Sequence, residues 1–281
     1  MTNNAFFALN AQGLIAGSLQ YFGFAPLVDD LLGPSSGPVA HGAMCASLIM
    51  QLTDLSHPGL IDHCSYLYLK PLPLFFGTTA PYTAFSDDQI AASLQRLVEV
   101  GPEQLYAALR AQIKDKLAGA RVSEPRGIKA LLKGPEWSQL LLEYLSLGFL
   151  WPQQRVDECF LEREDYCHAL CALRACGELI AAASQVVLRA RLKEQGVVVP
   201  RPDGSPGATK LGPTWKRVCT FFEYNCIMLM CDDQGTLHIT NFKQPYALIV
   251  AALGDQWWQM YDIEHIRTVM AGHLLLDEYE D

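Results

Sequence analysis

Positive charge is missing from the start of this chain. No Lys or Arg occurs before Lys70, so the first 69 residues offer no cation to a polyanion. The nine cysteines contain no Cys-x-x-Cys pair, which removes the most recognisable zinc and redox spacings. Scattered thiols of this kind read as reduced, buried, small apolar residues. The opening "MTNNAFFALNAQ" has neither the basic region nor the long apolar region of a secretory signal. No uninterrupted apolar run reaches the roughly 20 residues of a membrane span. The expectation is a soluble cytoplasmic protein with no membrane partner. No internal repeat is visible.

What is present is apolar and acidic. Half of the 281 residues are hydrophobic and the net charge is −9. A sizeable core is possible in one large domain or two ordinary ones. The negative balance argues against blanket attraction to nucleic acid but leaves room for local basic patches.

Apolar spacing predicts a mainly α fold, with a long C-terminal-half helix and a small β-hairpin. "AQGLIAGSLQYFG", "APLVDDLLG" and "AHGAMCASLIMQLTDL" read as helices. "HPGLIDHCSYLYLKPLPLFFG" reads as irregular because of its prolines. "SDDQIAASLQRLVEVG" starts with Ser86 as N-cap, and Pro102 suits the first turn of the next helix. From about Glu162 to Gln195, Leu170, Leu173, Gly177, Ile180, Ser184 and Val187 fall on one stripe. That helix spans on the order of 50 Å, and Gly196 is its expected stop. "CIMLMCDDQGTLHITNF" is the hairpin signal.

Candidate chemistry is sparse. Cys167, His168 and Cys171 lie close together, but no second Cys/His pair stands at a matching zinc spacing. Asp232 and Asp233 end an apolar run, yet Gln234-Gly235 follows and turn chemistry explains them. His41 reads as a capping or packing residue. His63 and Cys64 are adjacent, which points them apart in an extended segment. No catalytic residue, metal site or cofactor is expected.

The basic residues are clustered. Arg110, Lys114, Lys116, Arg121, Arg126, Lys129 and Lys133 face only Asp115 and Glu124 in the same stretch. A helix running to Arg121 would place Arg110, Lys114 and Arg121 on one stripe. A second set comprises Arg189, Arg191, Lys193, Arg201, Lys210, Lys216 and Arg217. Such sets neutralise phosphates without reading sequence, so both are candidate nucleic-acid contacts. Trp257, Trp258 and Tyr261 are candidate partner contacts, as apolar anchors at a domain or subunit interface rather than as base-stacking platforms.

Two stretches carry a family resemblance. "GLIAGSLQYFGFAPLVDDLLGP", "VAHGAMCASLIMQL" and "FSDDQIAASLQRLVEVGPEQLYAAL" resemble the N-terminal helical domain of bacterial insertion-sequence transposases of the DDE type. "CFLEREDYCHALCAL", the long helix, "GPTWKRVCTFFE" and "IMLMCDDQGTLHITNF" are similar to the region after their catalytic core. That core is an RNase H-like fold whose Asp, Asp and Glu hold divalent metal for phosphoryl transfer. Here only residues 119–158 separate the matching parts, too few for such a fold. Glu143 falls near the last family carboxylate but lacks the Arg and Lys of the family motif.

The resemblance therefore implies three parts. Residues 1–118 are a transposase-like helical domain, 119–158 a shortened junction, and 159–281 a C-terminal helical region. It implies a protein that is not an enzyme, binds DNA or RNA, and serves a nucleoprotein complex as a regulatory or assembly subunit. A protein partner, a full-length transposase or a second copy would accompany it. The alternative is an interaction module without nucleic acid, docking a protein through its acidic, apolar N-terminal helices. An enzyme of unrecognised type has the least support, because no two candidate catalytic side chains stand at a recognisable spacing.

Overall fold

A computed structural model of the chain describes residues 6–53, 63–123, 163–199, 213–232 and 236–271. The fold is mainly α with one small antiparallel sheet. In chain order the elements are β1 (Phe6–Ala8), α1 (Gln12–Tyr21), α2 (Phe24–Leu32), α3 (His41–Thr53), α4 (His63–Leu67), α5 (Leu72–Phe76), a 3-10 turn (Tyr82–Ala84), α6 (Asp87–Val100) and α7 (Pro102–Lys116). Then follow α8 (Arg163–Gln195), α9 (Trp215–Tyr224), β2 (Met228–Cys231), β3 (Leu237–Thr240), α10 (Gln244–Leu253), α11 (Asp255–Trp258) and α12 (Ile263–Val269).

The chain forms two compact units, each discontinuous in sequence. The first takes Met1–Tyr21, Leu69–Thr79 and Ser184–Asp281; the second takes Phe22–Tyr68 and Ala80–Ala183. Both draw residues from before 118 and after 158.

In the first unit the predicted hairpin is present as β2 and β3, with Leu229 opposite Ile239. It gains a strand that the sequence did not announce. β1 pairs antiparallel with β2, Phe7 opposite Leu229. Three residues are too short for a readable alternation, so only the pairing reveals this strand. Phe7, Leu229 and Leu237 make its buried face.

Helix α1 lies against α11 at close range. A Cβ on Gly17 would come within 2.9 Å of the Trp257 ring, and one on Gly13 within 2.6 Å of the Tyr261 hydroxyl. Glycines at i and i+4 thus form a shelf for aromatics at i and i+4. Ser18, one residue on, is buried and fully bonded. Its hydroxyl donates to the Leu14 carbonyl at 2.9 Å. It accepts from Ser184 at 2.9 Å and from Trp257 Nε1 at 3.1 Å. One small polar atom therefore ties α1, α8 and α11 together with no polar atom left over. Glu223 of α9 closes the start of α1, accepting from the Ala11 N–H at 3.2 Å and from Asn10 Nδ2 at 3.4 Å. A carboxylate is favoured there by the exposed N–H groups and the helix dipole.

The second unit is helical. Asp29 of α2 accepts from the Gly42 N–H at 2.7 Å and so caps α3 from another helix. A Cβ on Gly42 would stand 2.2 Å from the Ala25 carbonyl. The glycine is needed because two backbones meet there. Every residue of α3 from His41 to Gln51 is buried. His41 bonds Ser93 of α6 through Nδ1 at 2.9 Å. Arg96 of α6 donates to the Leu32 carbonyl at 2.8 Å and binds Glu99 at 2.7 Å.

Several local expectations change. Ser86 occupies the N-cap position of α6, but its side chain makes no capping bond. Pro102 opens α7 as predicted. The proline-rich stretch after residue 62 is not irregular throughout. Pro71 and Pro73 sit at the start of α5, where a missing N–H costs nothing. His63 and Cys64 begin a helix rather than an extended segment.

The long helix runs Arg163–Gln195 and stops at Gly196, whose φ is 65°. All six residues of its predicted stripe are buried. Arg174 and Glu178, half exposed, pair at 3.6 Å. Among the described residues this is the one helix long and apolar enough to match a membrane span, and 67% of that stretch is buried in the protein. Most of residues 119–158 lies outside the described residues.

Two outcomes follow. Ser18→Ala leaves the Trp257 N–H without its acceptor. It is expected to lower unfolding free energy by about 1–3 kcal/mol, read from denaturant curves at unchanged slope. The second concerns His41. Burial lowers its pKa from the ordinary 6.5, with Asp29 opposing and Arg96 assisting. The unfolded chain then takes up a proton first. Stability from the neutral ring is complete above pH 6.5 and is lost as pH falls below it toward the lowered value. His41→Gln should flatten the stability profile in that window; an unchanged profile would show that another group carries it.

Candidate nucleic-acid interface

The two basic sets can be sorted by whether the fold has already used each cation. Helix α7 ends at Lys116, and Ala118 and Gly119 then turn with φ of 49° and 79°. Arg121 is therefore past the helix and not on a stripe with Arg110 and Lys114. All four residues, Arg110, Lys114, Lys116 and Arg121, are exposed. Arg110 and Lys116 interact with other residues. Lys114 and Arg121 have no side-chain partner among the described residues. Arg126, Lys129 and Lys133 lie outside the described residues, as does Glu143.

The second set divides more sharply. Arg191 places its guanidinium 5.7 Å from the Tyr21 ring centre. It also fills the space beside Gly254 at the end of α10. That is a cation on an aromatic face at the C-terminal end of a helix, a packing role. Arg217 donates to the Val199 carbonyl at 3.3 Å. Arg189, Lys193 and Lys216 are exposed with no side-chain partner among the described residues. Lys243, just before α10, is a further exposed cation of this kind and belongs to no basic run in the sequence.

Three arginines outside these stretches pair with nearby carboxylates. Arg96 binds Glu99, Arg174 binds Glu178, and Arg267 binds Glu264 at 2.6 Å. Among the described residues, the exposed cations without a side-chain partner include Lys114, Arg121, Arg189, Lys193 and Lys216 in the two stretches singled out by composition, and Lys243 outside them.

The candidate partner contacts are mostly internal. Trp257 is fully buried and Tyr261 is 2% exposed. Tyr261 donates to the Asn10 carbonyl at 2.5 Å and stacks on Phe242 with ring centres 5.1 Å apart. Burial raises its hydroxyl well above the ordinary value. Tyr246, in the same aromatic cluster, is pushed up to about 12 by burial. Of the three, Trp258 alone is half exposed. Sequence reasoning named these side chains as anchors; the surface they anchor is the protein's own. The apolar N-terminal helices are likewise used within the fold, since α3 and most of α1 are buried.

The remaining polar candidates have local duties. His168 pairs with Glu103 at 3.0 Å, and Cys171 is buried. Asp232 accepts from the Thr236 N–H and from His238 Nε2, each at 2.8 Å. It shapes the hairpin, as turn chemistry predicts; Asp233 lies outside the described residues. The buried His63 ring bridges Ser47 at 2.9 Å and Gln51 at 2.6 Å. Among the described residues no group of three His, Cys, Asp or Glu side chains is placed to hold a metal ion.

The thiols are also internal. Burial, with a smaller effect of Asp29, pushes Cys45 up to about 12. Burial does the same to Cys219, and it raises Cys176 as well.

A family model described as a domain of unknown function, DUF4277, matches residues 6–111. No curated protein and no solved structure matches the chain. The matched stretch begins at β1 and ends within α7. Its β1 pairs with β2 and its α1 packs on α11, both far beyond residue 111.

Accessible thiols should differ from buried ones in reaction. With a soluble alkylating reagent at neutral pH, exposed Cys226 should be modified in the folded protein, whereas Cys45, Cys176 and Cys219 wait for unfolding. Mass spectrometry of timed digests reads this; early modification of Cys45 would contradict the α3 packing.

Proposed function

We propose that this chain is a transposase-derived, non-catalytic protein that binds nucleic acid as a regulatory or assembly subunit of a nucleoprotein complex. Transposition inhibition, or reuse in a defence system, is the kind of role meant. The observation that carries the binding half is the distribution of unpaired cations. In a chain of net charge −9, Lys114 and Arg121 stand exposed at and just beyond the end of α7 with no side-chain partner among the described residues, while Arg96, Arg174 and Arg267 are paired with neighbouring carboxylates. Exposed cations of this kind can neutralise a phosphate backbone, which gains affinity from the counterions it releases.

The transposase descent and the loss of catalysis rest on the sequence resemblance and on the short stretch between its two parts. A second copy of the chain or a full-length transposase would be the protein partner.

Fluorescence anisotropy of the full chain with labelled nucleic acid tests this reading. Wild type should bind at low salt, with affinity falling steeply as salt rises. Lys114→Glu with Arg121→Glu should weaken binding by about tenfold or more. Absence of saturable wild-type binding at low salt would overturn it.

A further inference from the structure

We infer that the end of α8 and the start of α9 form a second phosphate-contacting surface, and that its ligand is a double-helical backbone rather than a single strand. The inference rests on the nucleic-acid reading above but concerns other residues and a narrower ligand.

Three exposed cations lie on these two helix segments, which one side chain joins. The Gln185 side chain donates to the Pro213 carbonyl at 3.2 Å and accepts from the Trp215 N–H. That pins the first residue of α9 beside Gln185 of α8. Arg189 and Lys193 follow Gln185 at i+4 and i+8, on the same side of the helix. Lys216 follows Trp215 directly. All three are exposed and have no side-chain partner among the described residues. Glu194 is the one acid from Gln185 to Gln195. In α9 the acid is Glu223, which is taken up by Asn10 and Ala11. Gln195 and Gln244 line one groove, which brings Lys243 to the same end of α8.

The backbone carrying these cations is fixed. Thr214 caps α9 by accepting from the Arg217 N–H at 3.2 Å. The Arg217 guanidinium holds the Val199 carbonyl beyond α8. Charges on anchored helices, set at helical spacing, suit a ligand whose phosphates are themselves regularly spaced.

The aromatics decide the form of the ligand. Single strands are bound by stacking bases on exposed rings. Here Trp215 is 7% exposed and Phe221 and Phe222 are buried. Tyr224 is exposed, but it lies about 12 Å along α9 from Lys216 at 1.5 Å per residue. A cationic surface with its rings turned inward contacts phosphates and leaves bases stacked in their duplex. Such contact carries no sequence information.

The test uses the full chain against duplex DNA, duplex RNA and single strands of equal length, each in two base compositions. Salt runs from about 50 to 200 mM. The inference requires duplexes to bind more tightly than single strands and the two compositions to bind alike; the duplex arms show whether DNA or RNA is preferred. In Arg189→Gln, Lys193→Gln, Lys216→Gln the slope of log affinity on log salt should shrink by about 3, near 1 per lost contact. Tyr224→Ala should change nothing. If the triple variant keeps the wild-type slope while the Lys114 and Arg121 variant loses affinity, this second surface is wrong and the proposed function stands. Tighter single-strand binding, or loss of binding in Tyr224→Ala, overturns the duplex assignment. If wild type binds no nucleic acid, both readings fail together.

Discussion

The Ser18 hydroxyl is the atom on which the first unit depends. Three helix segments far apart in sequence meet at it, through Leu14, Ser184 and Trp257. A buried hydroxyl is tolerable only when its donor and acceptor capacities are used, and here they are. The geometry has a second condition. Gly13 and Gly17 must lack side chains so that Tyr261 and Trp257 reach the α1 surface. Once the rings are drawn in to satisfy Ser18 and Asn10, they are lost to any ligand. The same packing that makes the unit coherent therefore removes its aromatics from recognition.

Charge is divided by the same logic. Arg191 and Arg217 looked equivalent to Arg189 and Lys216 in the sequence. In the fold, Arg191 lies on the Tyr21 ring and Arg217 holds the Val199 carbonyl. Their neighbours are exposed and have no side-chain partner among the described residues. Net charge of −9 describes the chain but not the field at any one surface. The head without Lys or Arg is consistent with this. Its helices α1 and α3 are buried, and a buried cation there would have to be paired or neutralised.

Much of the local structure was legible. Helical spacing located α1, α2, α3, α6, α7 and the full extent of α8, and the run around Asp232 located the hairpin. Gly196 set the end of α8 as expected. The misses share a cause. β1 has no pattern of its own and exists because β2 offers an edge. The prolines of α5 read as breakers until their position in the first turn is known. The proposed stripe through Arg121 failed because Ala118 and Gly119 turn the chain away first.

The sequence by itself determined most of the helices and the hairpin, the sparse candidate chemistry and the two stretches where cations gather. These follow from short-range periodicity and composition, which need no knowledge of distant neighbours. Only the tertiary structure decided which cations are free and which rings are buried, and that residues 1–21 belong with 184–281. Those outcomes depend on partners more than a hundred residues apart, such as Ser18 with Ser184 and Tyr21 with Arg191. A pairing at that range leaves no mark in local spacing, because the burial and hydrogen bonds that fix it exist only after the chain has folded.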